Sequence, residues 1–436
     1  MVRFMTVVFI LATVYRSYSK RIPLIILGVD GYAYQAYEKF KNKTDENFLA
    51  FPIKPVFPSA TFPNFLSIAT GLYPTQHGII NNKFLNKDKN ATFLFNNLQH
   101  DQFDWFRGEP IWITAKKSGL RVYTDMWIGA SASYSGIKPD FYSLFNPTKT
   151  FQQKTKDLIS NIDDEKTRCD LYMVYSNEPD RSLHVTRLSD RAEVERIHNM
   201  VEEQISQLLS SLGDRDYNII VVSDHGMASF EERFSLSKEL EDRAQLFIGG
   251  PFGMWYIREG DEIENVVEDL NEYLVDNGME GVVATDTASL PSRFNLCGLE
   301  KEGLPEIVLM VDNEAMVQNQ YPSHFKSGHG YDNELPEMQG HVRVHGPGFN
   351  EKAKTGHMTD HVVMNTELYN LFCSLLRIHP ADNTGNLKTF DFLLVEPPNW
   401  ELSYTQLSEP CSKEGQQDDL RKDDSQSICD GERNES

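Results

Sequence analysis

What most constrains this 436-residue chain is a set of short, unbroken apolar runs that each end in a polar cluster. Residues 23–29 (PLIILGV) run into Asp30-Gly31, and residues 171–175 (LYMVY) into Ser176-Asn177-Glu178-Pro179-Asp180. Residues 218–222 (NIIVV) run into Ser223-Asp224-His225-Gly226, and residues 120–127 follow a helix-like EPIWITAKKSG segment stopped by Gly119. A strand with one wet face alternates apolar and polar residues, whereas a strand covered on both faces has no reason to. The runs therefore predict an α/β fold with a mostly parallel central sheet and helices on both faces. The clearest helix spans residues 190–212. Asp190 and Glu193 open it like a capping box, Gly213 stops it, and Val194, Ile197, Val201, Ile205, Leu208 and Leu212 form one apolar stripe. A second helix is expected over residues 366–376.

With 40% apolar and 24% charged residues the chain can bury a sizeable core, in up to three domains or in one large one. Its formal charge of −22 argues against a nucleic acid polymer as partner, because phosphate backbones are gripped by clustered Lys and Arg. A small anion held by metal ions in a pocket is still compatible with that charge. Residues 1–19 read as a secretory signal peptide. Arg3 is the basic flank, residues 4–15 the apolar run, and Ser17-Tyr18-Ser19 the cleavage site. Residues 20–400 are expected to form the folded domain, and residues 401–436, polar from about Ser408 onward, a flexible tail. Sequons at Asn42, Asn90 and Asn434 agree with export. No later run is apolar enough to span a bilayer, so the expectation is a secreted or outer-surface protein, monomeric, with any anchor lying beyond Ser436. Five cysteines are too few for a disulfide scaffold and odd in number; Cys411 and Cys429 could close a loop in the tail.

In open α/β sheets, functional groups gather beyond the carboxyl ends of the strands. Three of the runs end there in Asp30, Asp180 and the pair Asp224-His225, and His184 follows Asp180 by about one helical turn. His329 sits between glycines in Ser327-Gly328-His329-Gly330-Tyr331-Asp332. A lone aspartate after a strand is ordinarily a turn or cap residue. Several at strand ends with histidines in reach point instead to a metal site, and mixed Asp/His donors suit zinc better than calcium. His100, His198, His341, His357 and His379 read as surface or supporting residues. Residues 57–71 (FPSATFPNFLSIATG) read as a loop and a helix that Thr61 opens and Gly71 ends. Thr61 either only caps that helix or, with a metal's help, supplies a nucleophilic hydroxyl.

Taken in order, Thr61-Phe62-Pro63-Asn64, Gly108-Glu109-Pro110-Ile111-Trp112, Asn177-Glu178-Pro179-Asp180 with His184, Ser223-Asp224-His225-Gly226-Met227 and Gly328-His329-Gly330-Tyr331-Asp332-Asn333 form an ordered set. The set resembles the catalytic domain of the ectonucleotide pyrophosphatase/phosphodiesterase family, in the alkaline phosphatase superfamily, over residues 23–386. The resemblance implies an alkaline-phosphatase-like fold and two zinc ions. Asp180, His184 and His329 would hold one; Asp30, Thr61, Asp224 and His225 the other. It implies Thr61 as nucleophile and Asn82 as a phosphate donor beside the backbone N–H of Phe62. Phe62 and Phe145 would stack a nucleobase, and Tyr175 would line the pocket.

The implied activity is an extracellular nucleotide pyrophosphatase/phosphodiesterase acting through a nucleotidyl-threonine and releasing a 5′-monophosphate from ADP, ATP, NAD or dinucleoside polyphosphates. Ala60, where several nucleotide-cleaving relatives carry Lys, bears on affinity for highly charged substrates, and Trp127-Ile128-Gly129 replaces a frequent Trp-Pro-Gly. The chain has no room for the cysteine-rich or nuclease-like modules of the larger members. Alternative readings are a choline-lipid phosphodiesterase on the same scaffold and an inactive surface-binding homologue, although no ligand or nucleophile position is lost.

Overall fold

The apolar runs become the middle of an eight-stranded sheet. Its strands are β1 (Leu24–Val29), β2 (Leu49–Lys54), β3 (Val122–Asp125), β4 (Phe141–Ser143), β5 (Leu171–Ser176), β6 (Asn218–Val222), β7 (Gly340–His345) and β8 (Val363–Met364). A computed structural model describes residues 22–41, 48–95, 104–312, 315–319, 322–350, 362–397 and 404–411. The signal peptide, the sequons at Asn42 and Asn434, His100, His357 and Cys429 lie outside those residues. The strand order is β8-β2-β7-β6-β1-β5-β3-β4. All pairings are parallel except those of β7, which runs antiparallel to both of its neighbours.

Both faces of the central strands are covered. Leu24 and Ile26 of β1, with Leu171, Met173, Ile220 and Val222, pack in one core. Over that core lie α2 (Thr61–Thr70), α3 (Ile111–Lys117) and α8 (Leu368–Leu376), through side chains such as Phe65, Trp112 and Phe372. Ile25, Leu27 and Val29 point the other way, since alternate residues of a strand face opposite sides. They meet α1 (Tyr34–Phe40), α4 (Phe151–Asp163) and α6 (Arg191–Leu212). The stripe of α6 buries Ile197, Val201, Ile205, Leu208 and Leu212, with Val194 only partly covered. The Asp190 carboxylate accepts the Glu193 N–H at 3.3 Å, and Gly213 takes a positive φ of 55° where the helix stops. The second expected helix begins as a 3₁₀ turn over Asn365–Glu367 and continues as α8.

Between β6 and β7 the chain makes a smaller antiparallel sheet that the sequence reading does not separate from the main body. Its order is Leu246–Ile248, Phe252–Tyr256, Ile307–Val311, Val282–Asp286. Trp255, Ile307 and Leu309 pack beneath α7 (Ile263–Asp276), whereas Phe252, Met254 and Val308 turn into the main core. This sheet is thus wedged against the larger one and supplies a wall of the cleft described below.

Two polar features sharpen the sequence reading. His198 and His341, expected at the surface or in supporting positions, are both buried, and His341 takes a supporting place under the loop after Asp30. The His198 ring stacks on Phe40 at 4.8 Å, and the His341 ring on Tyr37 at 4.8 Å. His341 Nδ1 lies 3.0 Å from the Tyr32 carbonyl, and its Nε2 accepts from Arg343 Nε at 3.2 Å. Burial, with the Arg343 charge beside it, holds this imidazole well below its ordinary range, so it stays neutral and can accept. Arg343 of β7 also makes a two-pronged pair with Glu202 of α6 at 3.0 and 2.8 Å.

The second feature is the segment 404–411, at the start of the expected flexible tail. Residues 404–411 dock on the body: Thr405 N–H bonds Asp382, Leu407 N–H bonds the Asn383 carbonyl, and Tyr73 donates to Glu409. Cys411 pairs with Cys297 across 114 positions and not with Cys429, because the docked segment ends beside Asn295. Cys169 and Cys373 are buried free thiols.

Removing one partner of a buried charge pair strands the other, at a cost of about 3–5 kcal/mol. Glu202→Ala is expected to lose about that much in urea unfolding, while Glu202→Leu combined with Arg343→Met loses far less. Equal losses would mean that the pair is not what holds α6 to β7.

Candidate active site

β5, β1 and β6 are adjacent and in register, with Gly28 level with both Tyr175 and Val222. Asp30 and Asp224, each two residues further on, therefore emerge side by side. Asp180 follows β5 at the start of the short helix α5 (Asp180–His184). Gly31 makes this convergence possible. It has a φ of 69°, and a Cβ on it would lie 2.7 Å from the Asp180 Cβ. His184 is brought over Asp180 by one turn of α5. His329 arrives on a segment anchored by the pairing of Ser327–Gly328 with Ala228–Ser229.

All seven residues expected at a metal site come together. His184 Nε2 lies 3.3 Å and His329 Nε2 3.5 Å from Asp180 Oδ1. His225 Nε2 lies 3.1 Å from Asp224 Oδ2 and 3.5 Å from Asp30 Oδ1. Thr61 Oγ1 stands 3.3 Å from His225 Nε2. Asp30 Oδ1, Asp180 Oδ1 and Asp224 Oδ2 are buried and have no hydrogen-bond partner in the protein. These are the oxygens that face the imidazoles. Each Nδ1 on the far side of those rings points at a backbone carbonyl: His184 at Ser327 (2.9 Å), His225 at Gly226 (2.8 Å) and His329 at Ser59 (2.9 Å). A carbonyl bonded to Nδ1–H fixes the tautomer and leaves the Nε2 lone pair facing inward, the arrangement that metal-ligating histidines use. Orphaned carboxylate oxygens beside inward imidazole nitrogens fit one or more divalent cations, and the mixed nitrogen and oxygen donors suit zinc.

Electrostatics agree. Burial, with Asp224 and Asp180 close by, pushes the Asp30 carboxyl well above the usual carboxylate range. Burial and the neighbouring His225 hold His329 well below the usual imidazole range. Despite burial, His184 is raised by Asp180 and His225 by Asp224. Asp180, although buried, is held low by His184, His329 and His225. Acids crowded in this way compete for too little positive charge, a deficit that a cation would fill.

Thr61 does not cap its helix. Ala60 is the N-cap, Thr61 is the first helical residue, and no side-chain bond caps the end. Its hydroxyl faces the acid and imidazole cluster instead. The Phe62 N–H donates to Asn82 Oδ1 at 2.8 Å, so this backbone donor is taken up by Asn82. That bond orients the amide, with its NH₂ as the end left to donate.

Thr61, Phe62, Asn82, Phe145 and Tyr175 all line one cleft of about 1130 Å³, together with Asp30, Asp180, His184 and His329. Phe62 is buried, while Phe145 is 45% exposed at the mouth. Tyr175 has a second role that the sequence reading missed: its hydroxyl donates to Asp30 Oδ2 at 2.5 Å. That bond leaves only Oδ1 of Asp30 turned to the cluster. The carbonyls of Ser59, Ser327 and Gly226 were likewise unsignalled, because a backbone acceptor leaves no trace in residue type.

A family model described as type I phosphodiesterase / nucleotide pyrophosphatase matches residues 24–332. The chain belongs to this family. Among curated relatives, bovine ectonucleotide pyrophosphatase/phosphodiesterase family member 3 is 30% identical over 368 residues, covering 79% of the chain and 40% of the relative. Venom phosphodiesterase 2 of Crotalus adamanteus is 31% identical over 405 residues, covering 86% and 48%. The chain thus spans less than half the length of these relatives. Murine ectonucleotide pyrophosphatase / phosphodiesterase 5, solved as an inactive threonine-to-alanine form in complex with AMP, superposes with a TM-score of 0.75 at 24% identity. That likeness covers 86% of the chain and all of the solved structure and establishes the shared fold.

If Tyr175 holds Asp30 in place for a cation, Tyr175→Phe should weaken zinc affinity about 10- to 100-fold, read by competition with a chromophoric chelator. Unchanged affinity would remove the tyrosine from that role.

Proposed function

We propose that this phosphodiesterase-family chain is an extracellular, zinc-dependent nucleotide pyrophosphatase/phosphodiesterase that works through a covalent threonine intermediate. The observation that carries the reading is the Thr61 hydroxyl, freed from capping and placed against the Asp/His cluster at the floor of a cleft. Two zinc ions, one held by Asp180, His184 and His329 and the other by Asp30, Asp224, His225 and Thr61, would supply Lewis acidity and positive charge.

Thr61 Oγ1 attacks the nucleotide phosphorus, the bond to the leaving oxygen breaks, and a nucleotidyl-threonine forms as the hydroxyl proton is lost. Water then attacks the same phosphorus, the threonine–phosphate bond breaks, and a nucleoside 5′-monophosphate departs with the hydroxyl restored. Asn82, oriented by the Phe62 N–H, offers its NH₂ to a phosphate oxygen, whose charge grows in the transition state. Phe62 and Phe145 flank a nucleobase across the mouth of the cleft, and Tyr175 lines its floor. Residues 20–400 act as the catalytic domain behind a signal peptide at residues 1–19. Asn90, exposed in the turn between Lys83–Asn86 and Ala91–Leu94, can carry a glycan together with Asn42 and Asn434. Among the described residues no helix is long and apolar enough to cross a membrane.

The decisive assay is turnover of p-nitrophenyl thymidine 5′-monophosphate before chelation, after chelation and after zinc is restored. Activity should vanish and return. Thr61→Ala should lower it about a thousandfold or more with zinc content still near two. Absence of turnover in every zinc condition sinks the reading. Faster turnover of p-nitrophenyl phosphorylcholine would hand the scaffold to a choline-lipid phosphodiesterase.

A further inference from the structure

Rings line both ends of the cleft, and each end carries a cation, Lys83 next to Asn82 and Arg181 next to Asp180. From Thr61 a series of contacts leads one way through Phe62 to Phe95, whose rings lie 6.5 Å apart. In the other direction His225 stacks on His329 at 3.8 Å, and His329 lies 5.2 Å from His184. His184 in turn stacks on Phe325 at 4.2 Å, with His324 set edge-on to Phe325 at 4.9 Å. The first end, where Phe62 lies beside Phe95, is the one next to Thr61 in the chain and suits a base. The second end carries Arg181, one residue after Asp180 on the same short helix.

Arg181 is exposed and lines the cleft, and among the described residues no hydrogen bond or ion pair engages its guanidinium. Its charge is felt by Glu178, half-buried in the neighbouring wall. An uncommitted guanidinium in a concave wall is a ready two-pronged partner for phosphate oxygens. In-line displacement puts the departing oxygen opposite the attacking one. With Thr61 attacking and the base held at the first end, the leaving group projects past Asp180 and His184 toward Arg181.

We propose that Arg181 is a specificity-determining residue that selects substrates with a phosphate-bearing leaving group, such as a pyrophosphate or a second nucleotide. The inference rests on the phosphodiesterase reading above and sharpens it. Arg181 supplies the charge for such groups that Ala60, an apolar residue lining the same cleft, cannot provide.

The test compares two substrates that share the thymidylyl group: thymidine 5′-triphosphate, which releases pyrophosphate, and p-nitrophenyl thymidine 5′-monophosphate, which releases an aryl alcohol. In zinc-loaded full-length protein, Arg181→Ala should lower the ratio of kcat/KM for the triphosphate over the aryl ester about 10- to 100-fold, with Arg181→Lys intermediate. Inorganic pyrophosphate should inhibit aryl-ester hydrolysis by the parent protein and need about tenfold more for Arg181→Ala. An unchanged ratio and unchanged inhibition overturn the role of Arg181 while leaving the phosphodiesterase reading intact. Absence of aryl-ester turnover in the parent protein overturns both.

Discussion

The structure depends on a concentration of negative charge that the protein alone does not neutralise. Asp30, Asp180 and Asp224 converge beside three imidazoles at the floor of the cleft, and one oxygen of each is buried without a hydrogen bond. An unpaired buried carboxylate costs several kcal/mol after the protein has relaxed. A fold that places three together, and turns every neighbouring Nε2 toward them, is arranged around cations. Burial and the neighbouring acids raise the Asp30 carboxyl, and burial with His225 beside it depresses the His329 imidazole. The carbonyls behind each ring keep the imidazoles from turning away to find other partners.

Sheet topology is what makes the concentration possible. Because β5, β1 and β6 are parallel neighbours, their carboxyl ends open on one edge, and a one-residue slip between them would separate Asp30 from Asp224. Continuous apolar runs suit this purpose, since strands buried on both faces have cross-strand partners on either side that resist a slip. The reversed β7 then brings Arg343 to Glu202 and His341 to Tyr32, tying α6 and the loop after Asp30 to the same sheet. Support for the site therefore passes through buried polar contacts on the face away from the cleft.

How far the sequence discloses this arrangement depends on where the information resides. Asp30, Asp180 and Asp224 are legible because each ends a run whose composition already marks a covered strand. His184 is legible from helical spacing alone. His329 is separated from the rest by more than a hundred positions, and only the ordered set of motifs links it to them. Residue type leaves surface and supporting places open for His198 and His341, and only tertiary packing against Tyr32, Tyr37 and Phe40 decides between them by removing both rings from water. The smaller sheet stays hidden because its middle strands, Phe252–Tyr256 and Ile307–Val311, are apolar runs that read like those of the large one. The Cys297–Cys411 pairing depends on a docked segment that spacing cannot foretell.

A chain with a net charge of −22 is an unpromising binder of polyanions if charge is treated as one number. Range resolves the difficulty. Exposed carboxylates are screened over about 8 Å at physiological ionic strength, so a substrate seated in the cleft feels mainly the groups lining it. In that low-dielectric recess a local cation outweighs many distant acids. Long-range repulsion then falls on the encounter rate and local attraction on the bound state, so an acidic surface can coexist with tight binding of small anions.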